Sequence, residues 1–329
     1  MKKIAVIGDG SWATAIVKIL LNNVEELNWH IRIKEDIDYI KKFHHNPRYL
    51  TGVELETNKL RLFNSIDETI KDADVVVVVI PSAYLGTALE TVDKELFKDK
   101  FFVSAVKGIV PDLHLTTCDL LHNKFDVPLT KLGVVSGPCH AEEVALERLS
   151  YLTTSAKNEE DANFMAELFS CRYIKTKSSD DIFGTEYAAI MKNIMAVASG
   201  IAHGLGYGDN YQAVLISNAI REMKRFVDAV HPITRDIKNS AYLGDLLVTA
   251  YSQFSRNRTF GNMIGKGYSV KSAQLEMNMV AEGYYAVKGI YEINKQYNID
   301  LPITNAVYNI LYERISPTVE FNLLSSIFD

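Results

Sequence analysis

Along the first half of the chain, short apolar runs alternate with stretches whose apolar residues recur every three or four positions. IAVIG (Ile4–Gly8) reads as a short buried strand, followed by a helix pattern from Ser11 to Leu21. WHIRIK (Trp29–Lys34) reads as a second strand and LRLF (Leu60–Phe63) as a third, ahead of the helical SIDETIKDA. VVVVVI (Val75–Ile80) is an unbroken β-branched run, the composition of a central parallel strand covered on both faces. FFVSAVKG (Phe101–Gly108) and LGVVSGP (Leu132–Pro138) follow, each after a helical segment, and LSYLTTSA (Leu149–Ala156) and RYIKTKS (Arg172–Ser178) extend the series. Strands alternating with helices predict an α/β fold, a doubly wound parallel sheet of the Rossmann kind, over residues 1–180. After Asp180 the strand-like runs stop. The apolar spacing is helical nearly to the end, punctuated by Pro232, Pro302 and Pro317 and by Gly204, Gly206 and Gly208, which predicts an all-α C-terminal domain over residues 181–329.

A length of 329 residues supports two domains rather than one. The net charge of −6 offers no global attraction to nucleic acid or to an anionic membrane, so an anionic ligand has to be held by local cations. Cys118, Cys139 and Cys171 are odd in number and lack C-x-x-C spacing. That argues against a disulfide framework or a metal site and for a reducing compartment. The basic start MKK is followed by an apolar run that ends at Gly8-Asp9, too short for a signal peptide, and no apolar run approaches membrane-spanning length. The expectation is a cytoplasmic protein with a small-molecule substrate and neither a nucleic-acid nor a membrane partner.

Gly8-Asp9-Gly10-Ser11-Trp12-Ala13 fits G-x-G-x-x-A directly after a strand and at the start of a helix. Gly8 permits the tight turn, Gly10 lets the backbone approach a pyrophosphate, and Ala13 allows close helix–strand packing. In that context the pattern predicts a dinucleotide site. The second strand is expected to end near Lys34-Glu35-Asp36, where the adenosine ribose is read. An acidic residue there favours NAD and a basic one NADP, and Arg32, Lys34, Glu35 and Asp36 together leave the choice open. Strand ends are also expected at Pro81-Ser82, Lys107-Gly108 and Gly137-Pro138-Cys139, where ligands of such sheets lie.

In the helical half, AAIMKNIMAVASGI (Ala188–Ile201) carries a single charge, Lys192, beside Asn193. Taken alone, it favours a lysine that snorkels to water. The sharper reading is a buried ammonium with a movable pKa. LGDLLVT (Leu243–Thr249) places Asp245 and Thr249 on one helix face, and an acid in an apolar segment needs a cation, which Lys192 can provide. FSRNRTFG (Phe254–Gly261) gathers Ser255, Arg256, Asn257 and Arg258, guanidinium forks with neighbouring donors that suit a phosphate dianion.

These pieces together resemble the NAD(P)-dependent glycerol-3-phosphate dehydrogenases of the bacterial type, over essentially the whole chain. IGDGSWATA resembles the family's nucleotide-binding turn, and AVKG, SGPCHAEEVA, KNIMAVASGIAHGLGYGDN, GDLLVT, SRNRTFG, AEGY and LPITNAVYNILYE resemble its later signatures in order. The resemblance implies reversible hydride transfer between NAD(P)H and dihydroxyacetone phosphate, giving sn-glycerol 3-phosphate for glycerophospholipid synthesis. It implies that Lys192 is the catalytic lysine, that Lys107 is a second active-site lysine near substrate and nicotinamide, and that Asp245 and Thr249 are partners of the catalytic lysine. Ser255, Arg256 and Asn257 match substrate-phosphate binders, with Arg256 also near the cofactor. Ser11, Trp12, Ala141, Val280 and Glu282 match cofactor contacts, and Gly137 and Cys139 substrate contacts. Two features depart from the family. Cys139 stands where Ser or Thr is usual, a thiol being a weaker donor than a hydroxyl, and the basic residue after the second strand aligns equally with Arg32 and Lys34.

With that assignment, Lys192 becomes a proton donor for the developing alkoxide, its proton loosened by burial and a second ammonium and retained by Asp245. Asn193 would hold substrate hydroxyls or orient Lys192. The rivals are a two-domain hydroxy-acid or sugar-acid dehydrogenase, which would not need so dense an anion site, and a non-catalytic nucleotide sensor, which would not need the lysines. The tyrosine-rich C-terminal helices (Tyr284, Tyr285, Tyr291, Tyr308, Tyr312) read as core and interface, compatible with a homodimer.

Overall fold

The computed structural model describes residues 2–277 and 280–328. Its contacts divide the chain into two compact units. One runs up to Val106 and resumes over Thr117–Ile182, while the other combines Lys107–Thr116 with the chain from Phe183 on.

The first unit is built on one eight-stranded sheet: β1 (Ile4–Ile7), β2 (Leu27–His30), β3 (Leu60–Phe63), β4 (Val75–Val78), β5 (Phe101–Ser104), β6 (Leu132–Ser136), β7 (Ser150–Ala156) and β8 (Ile174–Ser179), in spatial order β3-β2-β1-β4-β5-β6-β7-β8. The order reverses between β1 and β4, so the carboxyl ends of those two strands open the crevice in which such sheets hold ligands. β4 is buried along its whole length, as its valine run demands.

Two expectations need correction. The sheet is parallel only from β3 through β6, because β7 runs antiparallel to β6 and β8 follows β7. An apolar run carries no sign of its own direction, so the pattern could not foresee that reversal. The second strand ends at His30 and not near Lys34. Ile31 still donates to the Phe63 carbonyl of β3 (2.8 Å), but beyond it the Asn64 side chain takes the carbonyls of Ile31 and Arg32 (2.8 and 2.7 Å) in place of a strand partner, and a helix starts at Lys34. Arg32 therefore lies just beyond the strand, whereas Lys34, Glu35 and Asp36 form the first turn of the Lys34–Phe43 helix.

The second unit is helical. Its axis is the 23-residue Ile182–Gly204 helix, apolar on nearly every face and buried accordingly. Around it stand helices Asp209–Val230, Asp245–Tyr251, Arg256–Gly265, Glu282–Tyr297, Pro302–Leu311 and Pro317–Ile327, the last two with proline at the first helical position, where no amide hydrogen is missed. Glycines let backbones meet. A Cβ on Gly200 would lie 2.1 Å from the Arg258 carbonyl oxygen, and one on Gly261 2.1 Å from that of Val197. A Cβ on Gly283 would lie 2.6 Å from the Asn193 carbonyl oxygen. Two helices, Arg256–Gly265 and Glu282–Tyr297, thus close on the helix that carries Lys192 and Asn193. Among the described residues no helix is long and apolar enough to cross a membrane.

Candidate functional site

The glycine turn after β1 is shaped by the backbone. Gly8 has φ of +123°, and a Cβ there would sit 2.8 Å from the Val79 backbone, so only glycine fits. All three turn carbonyls are tied back to protein donors: Gly8 to Trp29 Nε1 (2.8 Å), Asp9 to Asn46 Nδ2 (3.0 Å) and Gly10 to Thr14 Oγ1 (3.0 Å). Oxygens that would repel an anion are thereby removed from its path. A Cβ on Gly10 would meet nothing within 4 Å, and no side chain caps the Ser11–Leu20 helix that begins there. Open space over a glycine, tied carbonyls and uncapped helical amides fit a pyrophosphate. Ser11 and Ala13 are buried at the helix start, and Trp12 donates its indole N–H to the Ala105 carbonyl just past β5 (3.1 Å).

At the carboxyl end of β6, Gly137 has φ of +129° and would place a Cβ 2.6 Å from the Tyr151 carbonyl oxygen. Cys139 and Ala141 are buried beyond it, Ala141 as the first residue of the short Ala141–Ala145 helix. Gly8, Gly10, Ser11, Trp12, Ala13, Arg32, Lys34, Gly137, Cys139 and Ala141 therefore all belong to the sheet unit.

The helical unit assembles the remaining predicted residues, among them one taken from between two strands in sequence. Lys107 opens the Lys107–Thr116 excursion. Ile109 of that excursion seats against Gly289, where a Cβ would meet its side chain at 2.7 Å, and the Lys107 carbonyl accepts from Asn193 Nδ2 at 2.6 Å. Asn193 Oδ1 accepts from Asn257 Nδ2 (2.9 Å), whose own Oδ1 accepts the Gly283 backbone N–H (2.8 Å). This buried chain of amides fixes the Lys107 backbone relative to the Lys192 helix.

Lys192 Nζ donates to Asp245 Oδ1 at 2.5 Å, and Lys107 Nζ to Asp245 Oδ2 at 3.4 Å. Lys192 and Asp245 are buried; Lys107 is 17% exposed and reaches the surface of the cluster. Burial pushes the Lys192 ammonium down to about 7, Asp245 opposing and Lys107 reinforcing the fall. Burial alone would raise the Asp245 carboxyl, but the ammonium groups of Lys107 and Lys192 outweigh it and hold it ionised. The snorkelling alternative for Lys192 is ruled out by this geometry. Thr249 donates its hydroxyl to the Asp245 carbonyl (2.6 Å), bracing the aspartate through its own helix turn rather than touching the lysine with its hydrogen.

Ser255 is buried and caps the Arg256–Gly265 helix, accepting the Arg258 N–H, while Arg256 stands exposed at the first helical position. Glu282 begins the Glu282–Tyr297 helix, with Val280 two residues before it. Sequence reasoning missed the glycines of the helix crossings and the Gly283 amide. The spacings Gly200-x-x-x-Gly204 and Gly261-x-x-x-Gly265 were the available signal for the crossings. It also missed Asn46, for which nothing in its surroundings stands out.

Residues 3–162 match the family described as NAD-dependent glycerol-3-phosphate dehydrogenase N-terminus, and residues 181–322 match the corresponding C-terminus. A relative from Staphylococcus carnosus, named glycerol-3-phosphate dehydrogenase (NAD(P)+), is 33% identical over 98% of this chain and 98% of its own. One of the same name from Bacillus velezensis is 35% identical over 97% of this chain and 93% of its own. The crystal structure of glycerol-3-phosphate dehydrogenase from Coxiella burnetii superposes with a TM-score of 0.86 at 26% identity, covering 98% of each chain.

Proposed function

The chain belongs to the NAD-dependent glycerol-3-phosphate dehydrogenase family, and on that premise we propose how its side chains divide the interconversion of dihydroxyacetone phosphate and sn-glycerol 3-phosphate. It is an oxidoreductase that uses NAD or NADP, and neither the sugar-acid nor the sensor alternative is favoured. Gly8, Gly10, Ser11, Trp12 and Ala13 would hold the dinucleotide, with Ala141, Val280 and Glu282 as further contacts and Arg32 standing beside the adenosine end without an assigned bond. Once bound, the reduced nicotinamide supplies the hydride for the ketone carbon.

Lys192 gives its proton to the ketone oxygen as that oxygen becomes an alkoxide. An ammonium near pH 7 in acidity is well matched to the task, since it is charged when the substrate arrives and gives its proton up readily. Asp245 keeps the proton in place until then, and Thr249 keeps Asp245 in place. Lys107, the more exposed ammonium, attracts the anionic substrate and stabilises the growing negative charge. Asn193 and Asn257 act as positioning residues, their amides being engaged with Lys107 and Gly283. Arg256 supplies the fork for the substrate phosphate, and Ser255, which accepts a cap bond, retains its hydroxyl hydrogen to donate. Gly137 and Cys139 contribute substrate contacts, the latter through backbone N–H where a thiol would serve poorly.

The same proposal assigns cofactor binding to residues 1–180 and catalysis to residues 181–329, with Lys107 counted among the catalytic set. It also takes in a cytoplasmic location, in keeping with three free cysteines, and a homodimer. Val319, Leu323 and Ile327, exposed and four residues apart on one helix, are the apolar stripe that would favour self-association, and sedimentation tests it.

The observation that carries the mechanism is the buried Lys192–Asp245 contact with a second ammonium beside it. Lys192→Ala should lower turnover of dihydroxyacetone phosphate by about 10²- to 10⁴-fold while sparing coenzyme affinity. Near-normal turnover in a folded variant would transfer the proton to another group.

A further inference from the structure

The charges beyond β2 have no part in moving the hydride or the proton. Asp9, the middle residue of the glycine turn, directs its carboxylate at the chain leaving that strand. Its Oδ2 accepts the Arg32 backbone N–H at 3.1 Å and lies 3.9 Å from Arg32 Nε. Asn46 fixes the turn from the other side, donating to the Asp9 carbonyl and to Thr14 Oγ1 (2.9 Å). Asp9, Ile31, Asp36, Ile40, Asn46 and Tyr49 surround one hollow too narrow to admit a water, so a ribose could sit only against its rim. In it the Asp36 carboxylate is already engaged by Arg48 Nε at 2.6 Å. The rim beyond β2 therefore carries two carboxylates, each with a guanidinium drawn to it. His30 at the strand end adds no positive charge at neutral pH, since burial pushes its pKa down more than Asp9 raises it.

A dinucleotide whose pyrophosphate lies over the turn brings its adenosine ribose to the end of the second strand. There a 2′-hydroxyl can donate to a carboxylate. A 2′-phosphate instead meets that carboxylate as a like charge and needs a guanidinium free of other partners. We propose that Asp9 selects the coenzyme: it accepts from the adenosine ribose hydroxyls, holds Arg32 away from a 2′-phosphate, and makes this chain prefer NAD(H) to NADP(H). The inference rests on the dinucleotide reading of the turn. It assigns to the turn's variable middle position the discrimination that the residues after the second strand usually exert.

Equilibrium binding to the full chain reads this without turnover: NADH and NADPH by nicotinamide fluorescence, ADP and its 2′-phosphorylated counterpart by calorimetry. The wild type should bind NADH more tightly. Asp9→Asn keeps the side-chain shape and removes the charge. NADPH affinity should then rise about tenfold, as expected for one unit charge a few ångströms from a phosphate at the protein surface, while NADH affinity changes less than about threefold. Adding Arg32→Ala to Asp9→Asn should erase the gain, because the released guanidinium is what takes the phosphate. Three results would overturn the proposal: a wild type that favours NADPH, an Asp9→Asn that shifts both coenzymes by one factor, or one that weakens NADPH. Should Asp9→Asn fail to fold, Arg32→Ala alone decides. A loss of NADPH affinity below about threefold supports the proposal, and any larger loss overturns it. A wild type that binds neither coenzyme would sink the dinucleotide reading itself, an outcome distinct from all of these.

Discussion

The glycine turn of the sheet unit and the lysine cluster of the helical unit are built on opposite principles. The turn is a backbone site. Its geometry is set by Gly8 and Gly10, its carbonyls are restrained by neighbours, and no ionised side chain is needed to make it. The cluster is a side-chain site, in which Lys107, Lys192 and Asp245 arrive from three separate stretches and are held by buried amides from a fourth and fifth. A backbone site is encoded mainly over six consecutive residues, with a few distant donors such as Trp29 and Asn46 holding it in place. A buried charge cluster depends on every element that surrounds it, because one missing partner leaves a charge uncompensated.

After loss of Lys192 itself, the largest effect should come from breaking the cluster at its anion. Asp245→Asn removes the attraction that holds the Lys192 proton, while burial and Lys107 continue to drive its pKa down from about 7. Turnover at neutral pH should fall by about 10²- to 10³-fold, with coenzyme affinity nearly unchanged. The pH profile gives the sign. Reduction needs the protonated lysine, so wild-type turnover should decline as pH rises through about 7, and oxidation should rise over the same range. In Asp245→Asn the declining limb should move to lower pH. A limb that stays in place would mean that another group delivers the proton.

Arg256 sharpens the contrast, since its contribution is a planar fork and not a shape. Arg256→Lys should cost nearly as much as Arg256→Ala, each lowering apparent affinity for dihydroxyacetone phosphate about 10- to 100-fold. With phosphate-free dihydroxyacetone, variant and wild type should be equally poor. An equal loss on both substrates would assign Arg256 to coenzyme or fold.

The smallest effect should come from the turn. Gly10→Val fills open space without a clash in the protein, so melting temperature should hold while coenzyme affinity falls about tenfold or more. At saturating coenzyme, turnover should recover, which it cannot do in Asp245→Asn. Unchanged affinity, measured by fluorescence, would remove Gly10 from the site.

The same contrast explains what was legible in the sequence. Gly8 to Ala13 stood out because a strand, a turn and a helix start occur together, and that local grammar alone marks a candidate dinucleotide site. Lys192 stood out as a charge in an apolar helix, but its partner could only be surmised from a second oddity, Asp245. The amide relay through Asn193, Asn257 and Gly283 left no trace, since residues 64 and 26 positions apart carry no periodic signal of their contact. Strand ends were misread where side chains compete for the ladder, as Asn64 does after β2. Several roles drawn from the family resemblance, such as those of Ser255 and Asn257, coincide with capping and relay duties that the residue types alone did not suggest.

The Lys107–Thr116 excursion has a consequence for modularity. The chain passes between its two units after Val106, after Thr116 and after Ile182, so neither unit is a continuous stretch of polypeptide. A cut near residue 180 would strand Lys107 with the sheet, strip Asn193 of its acceptor and uncover the seat of Ile109 on Gly289. Recombining this sheet unit with a different helical partner as if they were cassettes would therefore split the Lys107–Lys192–Asp245 cluster between two parents.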